Sequence, residues 1–116
     1  MKNRSFLKRF GFAASGLREG WRRERSFRTQ IVIGIPVVIG VLFLGASTAW
    51  LAIIALAIAL VLSAELFNSA LETLVDHLHP EIHAEIRVVK DMAAGGVLLV
   101  SLGAAVVGVL FLFAQR

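Results

Sequence analysis

Hydrophobic and polar positions fall into four stretches along the chain, each with a helical rather than a strand-like period. Over residues 5–23, Phe6, Phe10, Ala13, Ala14, Leu17 and Trp21 share one face of a helix, and Lys8, Ser15, Arg18, Glu19 and Arg22 share the other. That pattern predicts an amphipathic helix lying on an anionic membrane surface. Residues 31–62 then contain no charged side chain. As one straight helix they would run roughly 48 Å, too long for a hydrocarbon core of about 30 Å. The break is expected at Gly45-Ala46-Ser47-Thr48, with Trp50 at the interface, giving spans over 28–44 and 49–76. Pro36 is a candidate kink in the first of these. Residues 77–91 are polar, with Pro80 near their start, and read as a loop leading into a helix. A third span covers 92–114, where Gly95, Gly96, Gly103 and Gly108 allow close helix approach and predict a homo-oligomer. The expected fold class is an all-α membrane protein, one domain over 1–116 with a surface helix and three transmembrane helices.

Composition agrees with this division. Hydrophobic residues make up 58% of the chain and charged ones 17%, and the mean hydropathy is +0.81, too apolar for a soluble domain of this size. There is no cysteine, so disulfides and thiol catalysis are excluded. The net charge of +4 is unevenly spread: residues 1–28 hold nine basic and two acidic side chains, the remainder three and six. By the positive-inside rule the amino end faces the cytoplasm, and three spans bring the 77–91 loop to the same side. The basic segment is expected to meet lipid rather than nucleic acid. Its length, ahead of any apolar run, predicts no cleavable signal peptide.

Against this apolar background the polar residues near the end of the second span stand out. Glu65, Asn68, Glu72 and Asp76 follow one another by three, four and four, so they occupy one face of a helix. A carboxylate at Glu65, following the apolar run, is costly unless it is paired, protonated or facing a polar cavity. It is a candidate general base, with Asn68 one turn away to orient it; the plain alternative is a carboxyl that bridges helices in an oligomer. Glu72 and Asp76, nearer the water, suit a hard cation such as Mg²⁺ with a phosphorylated ligand, or a merely solvated helix end. Glu24 is a further carboxylate, or one half of a Glu–Arg surface pair; Lys90 and Asp91 stand where a phosphate, metal or sugar could meet them. His77, His79 and His83 with Glu81 match no standard zinc spacing. Gly11 and Gly16 are not followed by the Lys-Ser/Thr of a P-loop, and no GxGxxG occurs, so soluble nucleotide-binding motifs are absent.

ELFNSALETLVD (65–76), KDMAAGGV (90–97) and GLREGWRRERSFR (16–28) together resemble the prokaryotic diacylglycerol kinases, over roughly residues 6–113. The resemblance implies a homotrimer in the bacterial inner membrane, with amino end and active sites on the cytoplasmic side, that phosphorylates a lipid hydroxyl with ATP and Mg²⁺. It implies that Glu65 is the catalytic base and that Asn68 arranges the site. Glu24 and Glu72 correspond to the magnesium carboxylates. Nucleotide contacts fall to Glu24, Glu72, Asp76, Glu81, Ile82, His83, Lys90 and Asp91. Lipid contacts fall to Ser26, Phe27, Arg28, Thr29, Gln30, Glu65 and Ala94. Lys90-Asp91-Met92 resembles the diacylglycerol branch, whereas Ala93-Ala94-Gly95 and Glu24-Arg25-Ser26-Phe27 lean toward undecaprenol kinases, and Ala13 replaces a polar residue expected in the diacylglycerol branch. Diacylglycerol is the expected substrate, with undecaprenol the alternative. A small transporter or a structural membrane protein is the reading from other classes, and neither accounts for acids gathered toward one side.

Overall fold

The computed structural model describes residues 5–81 and 83–115; Ile82, assigned by resemblance to the nucleotide, lies outside them. Four helices follow one another: α1 (Phe6–Arg23), α2 (Arg25–Phe43), α3 (Thr48–Leu78) and α4 (Ala84–Ala114). The last three are long and apolar enough to cross a membrane. They run antiparallel in sequence order, α2 and α4 each packing against α3.

At the α2–α3 turn, Gly45 takes the left-handed conformation, φ +71°. Its N–H donates to Leu42 O and that of Ala46 to Val41 O, a Schellman closure that satisfies carbonyls left open by the helix end. Ser47 then caps α3, its hydroxyl accepting from Trp50 N–H. Around this turn sits the apolar core of Val41, Ile54 and Phe111, against which Trp50 and Leu51 pack. Trp50 and Phe111 meet edge to face with ring centroids 5.6 Å apart, a favoured aromatic geometry. The core thus lies at the end of the bundle remote from the polar constellation.

All three long helices extend past the apolar stretches that mark them in the sequence, α2 beginning at Arg25 rather than at 28. α3 runs two residues beyond the expected boundary at 76, and α4 begins at Ala84, eight residues before its apolar run. The reason for the early start of α4 is local: the His83 ring accepts from Glu85 N–H and caps the helix, so residues 84–91 form its polar first two turns. Lys90 and Asp91 therefore sit on α4, not on a loop. α2 remains helical through Pro36.

α1 joins the bundle chiefly through its C-terminal turn. Phe6, Phe10, Leu17 and Trp21 stay exposed, whereas Gly20 is buried. A Cβ at Gly20 would lie 2.5 Å from Leu66 Cδ2 and 3.4 Å from the Phe27 ring, so any larger residue there has to displace the Leu66 methyl for α1 to come this close to α3.

Candidate active site

The site is built where the α1–α2 elbow meets the C-terminal half of α3, whose last turns are tied in turn to the start of α4. Glu65 is the buried polar residue of the described chain, 7% exposed, and it stands next in sequence to the Leu66 that touches Gly20. The elbow consists of one non-helical residue, Glu24, with φ −108° and ψ 108°. It brings the half-buried Glu24 close enough to Glu65 for their negative charges to repel. Two carboxylates held together in partly dry surroundings form an arrangement that a cation or a shared proton would relieve.

Asn68 lies one turn beyond Glu65. Its Nδ2 donates to Glu72 Oε1 at 3.3 Å, while its Oδ1 is buried and has no hydrogen-bond partner. A buried acceptor left unpaired is destabilising unless a ligand satisfies it, so this oxygen is available to one. Further along α3, Asp76 accepts from Lys90 Nζ and ties α3 to α4 at the polar end of the bundle.

Among the alternatives open from the sequence, the surface-pair reading of Glu24 is not what the structure adopts. Arg22 and Arg23 pair with Glu19, at 3.1 and 3.2 Å, and among the described residues Glu24 makes no ion pair. Two of the three histidines serve the backbone: His79 Nδ1 donates to Glu81 O, His83 caps α4, and their rings meet edge to face. Among the described residues no three His, Cys, Asp or Glu side chains form a metal cage. Asn68 Oδ1 and Glu72, on one face of α3, offer oxygen donors too few for a closed site, and Glu24 is a further carboxylate on the elbow. That chemistry fits Mg²⁺, which takes one or two carboxylates and completes its shell with phosphate oxygens and water.

The other positions named from the sequence are spread more widely. Phe27 is 2% exposed and packs beneath Gly20. Ser26, Thr29, Ala94, Asp91, Glu81 and His83 are exposed, and Thr29 donates to Arg25 O. Gln30 reaches the mouth of an apolar groove of about 610 Å³ between α2, α3 and α4, lined by residues such as Gly34, Ile58 and Ala105. Arg28 does something the sequence did not announce: its Nη1 donates to Trp21 O at 2.8 Å and Arg22 O at 3.0 Å, closing the end of α1. The Gly20–Leu66 contact was equally hidden. Its one signal is a glycine in the last turn of a helix, a weak mark that any helix end can carry.

An all-helical chain with three membrane-length helices and acids gathered at one end of the bundle defines a small membrane protein with a polar site at its surface. More specifically, it belongs to the prokaryotic diacylglycerol kinase family, whose model, Prokaryotic diacylglycerol kinase, matches residues 11–112. It is 33% identical to the diacylglycerol kinase of Synechocystis sp. over 105 residues, 90% of this chain and 60% of that protein. It is 28% identical to the Escherichia coli diacylglycerol kinase over 109 residues, 94% of this chain and 89% of that one. With the Bacillus subtilis undecaprenol kinase it shares 34% identity over 106 residues, 90% of this chain and 85% of that one. The chain thus spans about three-fifths of the length of the Synechocystis relative.

Proposed function

We propose that this chain transfers the γ-phosphoryl group of ATP to the hydroxyl of a membrane lipid, diacylglycerol in the first instance, giving phosphatidic acid and ADP. The observation that carries the reading is the buried Glu65, one helical turn before Asn68, whose buried side-chain oxygen has no partner. In the reaction Glu65 takes the hydroxyl proton as the lipid oxygen forms its bond to phosphorus, and the bond from phosphorus to the bridging oxygen of ADP breaks. Glu24 and Glu72 would hold magnesium, which would supply positive charge against that of the nucleotide phosphates. Asn68 keeps Glu72 in place through its amide. Lys90 and Asp91, with Asp76, Glu81 and His83, form the nucleotide side of the site. Phosphoryl transfer asks a protein mainly for positioning and charge stabilisation, which these groups supply.

The lipid side comprises Ser26, Phe27, Thr29, Gln30 and Ala94. α1 lies along the cytoplasmic surface of a bacterial inner membrane, Phe6, Phe10, Leu17 and Trp21 in the acyl region and Lys8, Arg18 and Arg22 among the headgroups. Such a helix holds the elbow at the depth where a lipid hydroxyl meets water-borne ATP. A homotrimer would cover the many apolar side chains that one chain leaves exposed on α2, α3 and α4. Undecaprenol is the second reading, favoured by an identity to the Bacillus subtilis undecaprenol kinase of 34%, as high as to the diacylglycerol kinases. Labelled ATP with Mg²⁺, offered with each lipid separately in mixed micelles, tests both. Label in phosphatidic acid supports the first, label in undecaprenyl phosphate the second, and label in neither lipid by a folded oligomer refutes the proposal.

A further inference from the structure

Arg28 sits in the first turns of α2, where a cation opposes the positive end of its own helix dipole. Its surroundings explain the placement. The last four carbonyls of α1 have no partners within that helix. Gly20 O is taken by Glu24 N–H, and Trp21 O and Arg22 O both accept from Arg28 Nη1. A guanidinium at the carbonyl end of α1 also meets the negative end of that helix's dipole. The bonds Glu24 N–H to Gly20 O and Arg28 N–H to Glu24 O merely continue each helix up to the elbow. They leave rotation about the φ and ψ of Glu24 unopposed. The Arg28 side chain ties one helix to the other across that residue, beside the apolar contact of Gly20 with Phe27 and Leu66.

We propose that Arg28 is a positioning residue: by clamping the C-terminal carbonyls of α1 it fixes the one-residue hinge at Glu24 and so sets the Glu24 carboxylate against Glu65. Its consequence for catalysis rests on the kinase reading above, whereas the clamp itself is a statement about backbone geometry. A lipid-contacting role for Arg28, which family resemblance implies, makes a different prediction. The clamp acts through Glu24 and hence through magnesium, while a lipid contact acts through the affinity for lipid.

The test uses the full chain, which has no cysteine and so accepts site-specific labels directly. Spin labels at Ser15→Cys and Phe67→Cys, both exposed positions, report the α1–α3 distance in protein diluted with unlabelled chain. Arg28→Ala is expected to broaden that distribution. Arg28→Lys is expected to recover part of it, because both bonds come from one nitrogen and an ammonium can keep some of them. In turnover, Arg28→Ala should raise the Mg²⁺ concentration for half activity about tenfold or more while leaving the lipid KM in place, the scale of loss when a group that orients a metal ligand is removed. In a Glu24→Gln background the same change should add little, because both act on one group. An unchanged distance distribution overturns the clamp, and so does a rise in lipid KM with Mg²⁺ dependence unmoved. If the wild-type chain phosphorylates neither lipid, the kinase reading fails and the spin-label distances still decide the clamp.

Discussion

Gly20 and Gly16 lie on the same helix one turn apart, yet alanine should act oppositely at the two positions. A Cβ at Gly16 meets nothing within 4 Å, while one at Gly20 comes within 2.5 Å of Leu66 Cδ2. Replacing a helical glycine by alanine stabilises by roughly 0.5–1 kcal/mol through the unfolded chain, at both sites alike. At Gly20 this is opposed by overpacking, ordinarily about 1–3 kcal/mol. The obstacle is the terminal methyl of a half-buried leucine, which can rotate away for about 0.5–1.5 kcal/mol, so the lower part of that range applies. The net change is then between neutral and about 1 kcal/mol destabilising for Gly20→Ala, against about 0.5–1 kcal/mol stabilising for Gly16→Ala. Unfolding of each variant in mixed micelles by added anionic detergent, followed by the fluorescence of Trp21 and Trp50, measures the difference. Because Leu66 adjoins Glu65, the Gly20 variant should also lose turnover where the Gly16 variant does not. Equal stabilisation at the two sites, with turnover equal, would refute the close approach of α1 to α3.

Other consequences are as specific. Gly45→Ala places a Cβ on a residue at φ +71° and should destabilise by about 1–2 kcal/mol, read from the same unfolding curves. The Asp76–Lys90 pair is substantially exposed, 59% and 36% at its side chains, so Asp76→Asn should change stability by less than about 1 kcal/mol. It should nonetheless raise the KM for ATP, since Lys90 loses the partner that holds it on the nucleotide side; an unchanged KM would speak against that placement. Asn68→Ala frees Glu72 from its amide donor and should raise the Mg²⁺ concentration for half activity more than the lipid KM, which a magnesium titration at fixed ATP and lipid checks.

The four helices were legible because apolar runs, a basic amphipathic stretch and the Gly45–Ser47 break each obey local rules. The polar face of α3 was legible for the same reason, since Glu65, Asn68, Glu72 and Asp76 follow helical spacing along one element. What local periodicity does not encode is which turns of different helices meet. The approach of Glu24 to Glu65, the Asp76–Lys90 tie and the seating of Gly20 on Leu66 all join residues distant in sequence. The start of α4 was obscured differently. A search for apolar residues finds where a helix enters lipid, whereas the backbone at Ala84 responds to the His83 cap and continues through polar residues in water. Arg28 shows the same limit from the other side: nothing in a basic segment announces its two carbonyl partners at the end of α1.

The most direct test of the account is turnover by Glu65→Gln, a near-isosteric change that removes the base while keeping the buried side chain. With ATP, Mg²⁺ and the accepted lipid all saturating, turnover should fall by about 10²–10⁴-fold, the usual contribution of a general base, with the oligomer and ATP binding intact. A Glu65→Gln protein that folds, assembles and phosphorylates lipid at the wild-type rate would contradict the assignment of the proton to Glu65.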